Sequence, residues 1–178
     1  MSVEASYLTS LRARLKGYRE LGDKTFSQLT EEQLNWQPGE GSNSIAVIIR
    51  HMHGNMLSRF TNFLTEDGEK PWRKRDEEFE AIPMGKDQLL ALWQEGWDCT
   101  MRAIDDLRES YLDRTITIRH ENHSVVDALN RQLGHYAYHT GQITFLGKML
   151  KGGEWTSLSI PKGASGQFNQ EMAKKHKD

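Results

Sequence analysis

Residues 129–139 read LNRQLGHYAYH and place two histidines, His135 and His139, four positions apart. In a helix, side chains at this spacing project from one face, with their Cβ atoms about 5–6 Å apart. Two neutral imidazoles at that separation can bind one transition metal, while a third ligand must come from another element. An open fourth position would then hold water or substrate. His51, far upstream in the chain, is the candidate for the third ligand.

The face that carries His135 and His139 is otherwise apolar, so both imidazoles are expected to point inward. An unpaired buried polar group costs roughly 1–3 kcal/mol, and the two imidazoles therefore need partners. A shared metal satisfies both, but a water-mediated or hydroxyl-bonded pair also does, and the spacing alone leaves these alternatives open. On a helical wheel the neighbours of this face are Val125, Ala128, Ile143, Leu146 and Leu150.

The same apolar periodicity extends over most of the chain. Apolar residues at steps of three and four predict long amphipathic helices, and four of them most simply form a bundle around one core. The predicted fold class is therefore all-α. A chain of 178 residues suggests a single domain, 1–178, that ends in a segment at 151–178. The predicted core helices are at about 3–29, 43–65, 86–110 and 124–150.

Two connections do not fit a simple bundle. The link 66–85 is long, and long links in compact domains are often functional. Its Arg73 and Arg75 either hold an anionic group of a substrate or pair with the acidic residues that follow them. Near 115–123, alternating Thr and Ile predict a short extended stretch or hairpin. His120 and His123 lie at its turn and are expected to be solvated.

Composition excludes several classes of partner. The net charge is −2, and no block of like charge is long enough for a nucleic-acid track. No apolar run approaches the ~18 residues of a membrane span, and the N-terminus has no secretory pattern. Cys99 is the only cysteine, so no intrachain disulfide can form. We expect a cytoplasmic protein without nucleic-acid or membrane partners.

The helix predicted at 43–65 offers two candidates for the third ligand. Its broad apolar face contains His53, so the burial pattern alone selects His53 as the inward histidine. His51 lies beside Ser44, Asn55 and Ser58, and small and polar residues of this kind line wet cavities. Periodicity does not choose between the two histidines.

Two segments resemble the DinB-like superfamily. Residues 44–51, SIAVIIRH, are similar to the start of its second helix, where a metal-ligating histidine follows a serine by seven positions. Residues 135–143, HYAYHTGQI, are similar to its second signature, a His-x-x-x-His followed by Gly-Gln. Three further segments, 54–60, 67–72 and 158–163, resemble one metal-binding subfamily that is related to bacillithiol S-transferases.

This resemblance implies a four-helix bundle, often dimeric, with a divalent metal (nickel, zinc or iron) on His51, His135 and His139. Relatives include bacillithiol S-transferases and the mycothiol-dependent maleylpyruvate isomerase. We therefore expect a homodimer that transfers a low-molecular-weight thiol to an electrophilic small molecule. The alternatives are a metal-dependent hydrolase and a non-catalytic metal-stabilised scaffold or sensor.

No catalytic residue is assigned from the sequence. No carboxylate lies at metal-ligand spacing beside the histidine pair, so the sequence offers no general base. Asn55 and Gln142 either orient a ligand or water, or are amides on the surface of their helices. Cys99 is expected to be a packed thiol, and Trp93 and Trp97 are expected to be core residues.

Overall fold

Serine side chains begin three of the long helices in the computed structural model, which describes residues 1–176. The hydroxyl oxygens of Ser2, Ser44 and Ser124 accept hydrogen bonds from first-turn N–H groups of the helices that follow them. Residues 177 and 178, the end of the predicted C-terminal segment, lie outside the described residues. The elements in chain order are α1 (Val3–Phe26), α2 (Glu31–Asn35), α3 (Ile45–Phe60), α4 (Lys86–Asp105), β1 (Thr115–Ile118), β2 (Glu121–Ser124), α5 (Val125–Lys151) and α6 (Ser165–Lys175).

The chain is mostly helical, as predicted, with a small antiparallel two-stranded sheet. Helix α3 packs along α4, and α1 packs along α5; smaller contacts join α1 to α4 and α3 to α5. Trp93 and Trp97 are core residues, as expected, and their rings meet edge to face with centroids 5.5 Å apart. Gly22 brings α1 close to α4, because a Cβ at this position would overlap the ring of Trp93.

Three of the predicted helices end earlier than expected. Helix α3 ends at Phe60 rather than near 65, because Thr61 is extended and Asn62 then adopts a left-handed conformation with φ of 50°. Asparagine tolerates this conformation better than most residues. Helix α1 ends at Phe26, because Thr30 is extended and caps α2. Helix α4 ends at Asp105 rather than near 110.

The predicted hairpin at 115–123 is present. Strands β1 and β2 pair antiparallel, and Arg119 and His120 form the two-residue turn between them, with φ of 55° and 65°. Both values lie in the left-handed region that two-residue hairpin turns require. The Asp67 carboxylate accepts hydrogen bonds from the backbone N–H groups of Glu69, Arg119 and His120 at 2.7–2.8 Å. The link that follows α3 is thereby attached to the hairpin turn.

These N–H donors also set the charge of Asp67. Burial on its own raises the pKa of the Asp67 carboxyl, but the three backbone hydrogen bonds outweigh burial and lower the pKa to about 2. Asp67 is therefore ionised at neutral pH and holds the turn.

The two histidines of the hairpin differ in exposure. His120 is fully exposed, as predicted. The prediction for His123 is wrong, because its side chain is only 10% exposed and its Nδ1 lies 2.6 Å from the Asp127 carboxylate. His123 pairs with the buried Ile116 across the sheet. Residues directly opposite each other share a face, so His123 is turned inward.

Helix α6 was not predicted from the sequence. None of its residues is buried, so it lacks the apolar core-facing stripe by which helices are recognised. Among the described residues, no helix combines the length and the apolar character needed to cross a membrane.

Candidate metal centre

Three histidines from two helices converge at one point. His51 comes from α3, and His135 and His139 come from consecutive turns of α5. The Nε2 atom of His135 lies 3.2 Å from Nε2 of His51 and 3.1 Å from Nε2 of His139. Two nitrogens that bind one metal at about 2.0–2.1 Å lie about 2.9–3.4 Å apart for angles between 90° and 109°. The spacing of these nitrogens is therefore compatible with a metal site.

The structure chooses between the two candidate histidines of α3. His51 is buried and belongs to the cluster, with its ligand atom within 4.8 Å of those of His135 and His139. His53 points elsewhere, and its Nε2 lies 2.9 Å from the Glu95 carboxylate. The burial pattern therefore selected the wrong residue, because the cluster faces a cavity and not the apolar core. The resemblance selected the histidine that converges with the pair.

The outer nitrogens of two cluster histidines have fixed partners. Nδ1 of His51 lies 2.9 Å from Oε2 of Glu78, and Nδ1 of His139 lies 2.8 Å from Oε1 of Gln142. Both oxygens accept, so each Nδ1 carries a hydrogen and each Nε2 presents a lone pair to the cluster. Gln142 therefore fixes the orientation of the His139 ring, while its predicted role toward a bound ligand or water stays a prediction.

This donor set could hold a metal ion. The lone pairs of His51 and His139 both face Nε2 of His135, which can carry no more than one hydrogen. One cation at the centre would accept all three nitrogens at once. Outer partners such as Glu78 and Gln142 are the usual supports of metal-ligating histidines.

The pKa values of the pair on α5 favour the neutral, ligating form. Burial, followed by the charges of His139 and His51, lowers the pKa of His135 to about 3. Burial lowers the pKa of His139 to about 4, although the hydrogen bond with Gln142 opposes this change. Both imidazoles are therefore neutral at pH 7 in the metal-free protein.

Glu78 is the part of the site that the sequence did not reveal. It lies in a short 3-10 helix, Asp76–Phe79, within the link after α3. Its carboxylate receives a bidentate pair of hydrogen bonds from Arg73, at 2.7 and 2.9 Å, in addition to His51. Burial alone would raise the pKa of Glu78, but the hydrogen bonds from His51 and Arg73 lower it. Glu78 is thus an anion that joins the link to the histidine cluster.

A glycine on α3 makes room for this carboxylate. A Cβ at Gly54 would overlap Oε1 of Glu78, so a larger residue would push the carboxylate away from the helix. Gly54 follows His51 by three positions and lies on the adjoining surface of α3. A glycine inside a helix, so close to a candidate ligand, was the one local signal in the sequence that another group approaches here.

The cluster lies at a cavity of about 390 Å³. Asn55 lines this cavity and is buried; its Oδ1 accepts a hydrogen bond of 3.1 Å from the Tyr136 hydroxyl, so its N–H donors remain for a ligand. It is therefore not an amide on the helix surface. Phe79 covers His51, with ring centroids 4.8 Å apart. The link after α3 thus forms one wall of the cavity.

The arginines of the link contact the acids that the sequence suggested, and they also reach the cavity. Arg73 pairs with Glu78, while Arg75 lies 3.7 Å from Asp76. Both arginines also line the cavity. Pairing with the neighbouring acids is therefore confirmed, while binding of an anionic group of a substrate stays a prediction. Cys99 is half-buried and lies outside this cavity.

Comparison with known proteins assigns the chain to a family. The sequence model of the family described as "Protein of unknown function (DUF1572)" matches residues 2–164. Because this match covers nearly the whole chain, the chain belongs to that family, which is DinB-like. No curated protein matches the sequence. The DinB-like resemblance is therefore confirmed, while the relation to bacillithiol S-transferases and the binding of a metal stay predictions.

Proposed function

We propose that the protein binds a divalent metal (nickel, zinc or iron) through His51, His135 and His139 and transfers a low-molecular-weight thiol to an electrophile. The observation that carries this proposal is the convergence of the three Nε2 atoms at an open cavity. Two of these histidines have their outer nitrogens held by Glu78 and Gln142.

The ligand set suits thiol chemistry. His51, His135 and His139 would hold the metal as neutral imidazoles, and the bound metal would supply a positive charge that favours the thiolate, the attacking form of a thiol. The chain's own contribution is to keep the lone pairs aimed inward through Glu78 and Gln142. Phe79 and Tyr138 flank the histidines with their rings.

A second cavity favours transfer over hydrolysis. A space of about 400 Å³ continues the same cleft and shares five lining residues with the first one: Asn55, Arg59, Arg131, His135 and Tyr138. Each space falls within the size range of small-molecule sites. Transfer requires two organic reactants side by side, whereas hydrolysis requires one reactant and water. A scaffold or sensor would require neither space.

We also propose that residues 1–178 form a single DinB-like domain whose long helices make a four-helix bundle, and that two copies form a homodimer. The pairing of α3 with α4 and of α1 with α5 supports the bundle. Exposed apolar side chains on α5, Tyr138, Phe145 and Met149, support an interface between two copies.

Metal content is the first test. Protein purified without chelator or nickel resin is analysed for bound metal, together with His51→Ala, His135→Ala and the matched control His53→Ala. We expect one metal ion per chain in the parent and in His53→Ala, and a large loss in the other two variants. An unchanged metal content in His51→Ala would exclude this site.

Turnover is the second test. Metal-loaded protein is incubated with bacillithiol or glutathione and a model electrophile, beside metal-free protein and His139→Ala. Activity that requires both the metal and His139 is expected. The scaffold or sensor becomes the better assignment if several thiols give no turnover while metal strongly raises the melting temperature. Ester or amide cleavage without a thiol would assign a hydrolase.

A further inference from the structure

Five arginines line the cavity beside the histidine cluster, and no acidic side chain of residues 1–176 lines it. Such a concentration of one charge needs compensation, because guanidinium groups remain protonated in proteins. The five are Arg59, Arg73, Arg75, Arg119 and Arg131.

The nearby acids compensate only part of this charge. Glu78 takes a bidentate pair from Arg73. Glu69 lies 3.1 Å from Arg59 and 3.0 Å from Arg119, and thus serves two further cations at once. Two carboxylates therefore face three arginines, and one positive charge remains within this group.

The other two arginines are less engaged. Arg75 is half-exposed and stacks its guanidinium 5.0 Å from the Phe79 ring centre. Within residues 1–176 its one acidic partner is the fully exposed Asp76, at 3.7 Å. Arg131 is exposed, and no hydrogen bond or ion pair of its side chain is found among residues 1–176. Both therefore have donors free for a ligand.

A buried donor also lacks a partner. Arg59 is 5% exposed, and its Nε–H has no hydrogen-bond acceptor among the described residues. Arg59 lines both the first cavity and the adjoining second one. The Nε atom itself is fully enclosed, so Arg59 acts on the cleft through its positive charge and not through this N–H group.

We infer that this cleft binds a small organic molecule with two anionic groups, carboxylates or phosphates, held by Arg75, Arg119 and Arg131. Planar guanidinium groups match the oxygens of both anions, and a dianion neutralises two of the three positive charges that Glu69 and Glu78 leave on the five arginines. The inference rests on the proposed function in one respect: this anion is one of the two reactants, with its reactive end at the histidines.

Calorimetric titration of the full chain tests the inference. Succinate and inorganic phosphate are the probes, succinamide is the uncharged probe of similar size, and each is titrated into metal-loaded and metal-free protein. We expect succinate or phosphate to bind in both forms and to weaken as salt is added, and we expect succinamide not to bind. The stronger of the two charged probes identifies the preferred anion.

Variants locate the binding. Arg75→Gln and Arg131→Gln are each expected to weaken binding of the charged probe about tenfold, as loss of a charge-assisted hydrogen bond predicts. Arg14→Gln, which removes an exposed arginine of α1 outside the cleft, should leave binding unchanged. The inference is overturned if no charged probe binds, if succinamide binds equally well, or if the double variant Arg75→Gln/Arg131→Gln binds as the parent does.

Failure of the two proposals can be told apart. The titration uses no thiol and includes metal-free protein, so anion binding can be present even if no metal binds and no transfer occurs. Conversely, the protein can bind metal and show turnover without binding succinate or phosphate. That result would overturn only the inference about the arginines.

Discussion

Glu78 decides how firmly His51 presents its Nε2 atom. Replacing it with glutamine keeps an acceptor near Nδ1 but removes the negative charge. We expect Glu78→Gln to lower metal affinity by about 10- to 100-fold, as is typical for outer partners of ligating histidines. Competition with a chromophoric chelator measures this change. The neighbouring Glu77→Gln is the matched control, because Glu77 is exposed and contacts Lys74 instead; equal affinities in the two variants would contradict the assigned role.

The pair on α5 should make the metal-free protein sensitive to acid. The pKa values of His135 and His139 are lowered to about 3 and about 4 in the folded state, against about 6.5 in the unfolded chain. Between pH 6.5 and the lowered pKa values, the unfolded state therefore binds more protons than the folded state does. The contribution of these two groups to the free energy of unfolding is therefore fully present above pH 6.5. It decreases as the pH falls toward 4.

Urea unfolding of the metal-free protein at pH 7.5 and 4.5 measures this loss. The double variant His135→Gln/His139→Gln is the reference, because it removes both titrating groups. We expect the parent to lose more stability than the double variant over this interval. An equal loss in both proteins would show that other groups cause the acid sensitivity.

At the scale of elements, two glycines of α1 give a matched pair. A Cβ at Gly22 would overlap the Trp93 ring, whereas a Cβ at Gly17 would meet nothing within 4 Å. We expect Gly22→Ala to lower the free energy of unfolding by about 1–3 kcal/mol through overpacking. Gly17→Ala should raise it by up to about 1 kcal/mol, because alanine favours a helix. Chemical denaturation measures both, and a stabilised Gly22→Ala would mean that α1 and α4 are not held this closely.

The positions of the long helices could be predicted because a helix of this kind shows its apolar stripe within its own sequence. The end of α3 could not, because it depends on the left-handed conformation of Asn62. Periodicity could not decide between His51 and His53 for another physical reason. A stripe that faces a polar cavity looks like a solvent-exposed stripe, and only the resemblance identified His51.

At the scale of the whole molecule, the least predictable part of the site came from the link after α3. Glu78 lies 27 residues after His51, and their contact depends on how the link folds back over α3. Arg50 fixes this path by donating to the backbone carbonyls of Glu77 and Glu80. Such non-local contacts leave no periodic signal in the sequence. The charges of the link were visible, but their position relative to the histidines was not.

The proposed homodimer belongs to this scale too. Phe145 is 69% exposed on α5, between Tyr138 and Met149. We expect light scattering to give a particle of about 41 kDa, twice the 20.5 kDa of one chain. Phe145→Glu should shift it to 20.5 kDa by placing a charge in the interface. Phe168→Glu is the control on α6, and a parent protein that is monomeric at micromolar concentration would exclude the dimer.

The turn at Arg119 and His120 is expected to lower the stability of the fold, while Arg119 raises the affinity for the proposed anion. Neither residue is one that a tight hairpin turn prefers, since Asn-Gly would adopt both left-handed conformations at lower cost. His120→Gly should therefore gain up to about 1 kcal/mol of folding stability in thermal or chemical denaturation, with succinate or phosphate binding unaffected. Arg119→Asn should gain less stability, because it also removes the ion pair with Glu69, and it should weaken anion binding. If both substitutions have the same effects on stability and on anion binding, then Arg119 does not differ from His120 in its contribution to anion binding. An engineer who optimises this hairpin for thermal robustness would do well to change the second residue of the turn and leave the first.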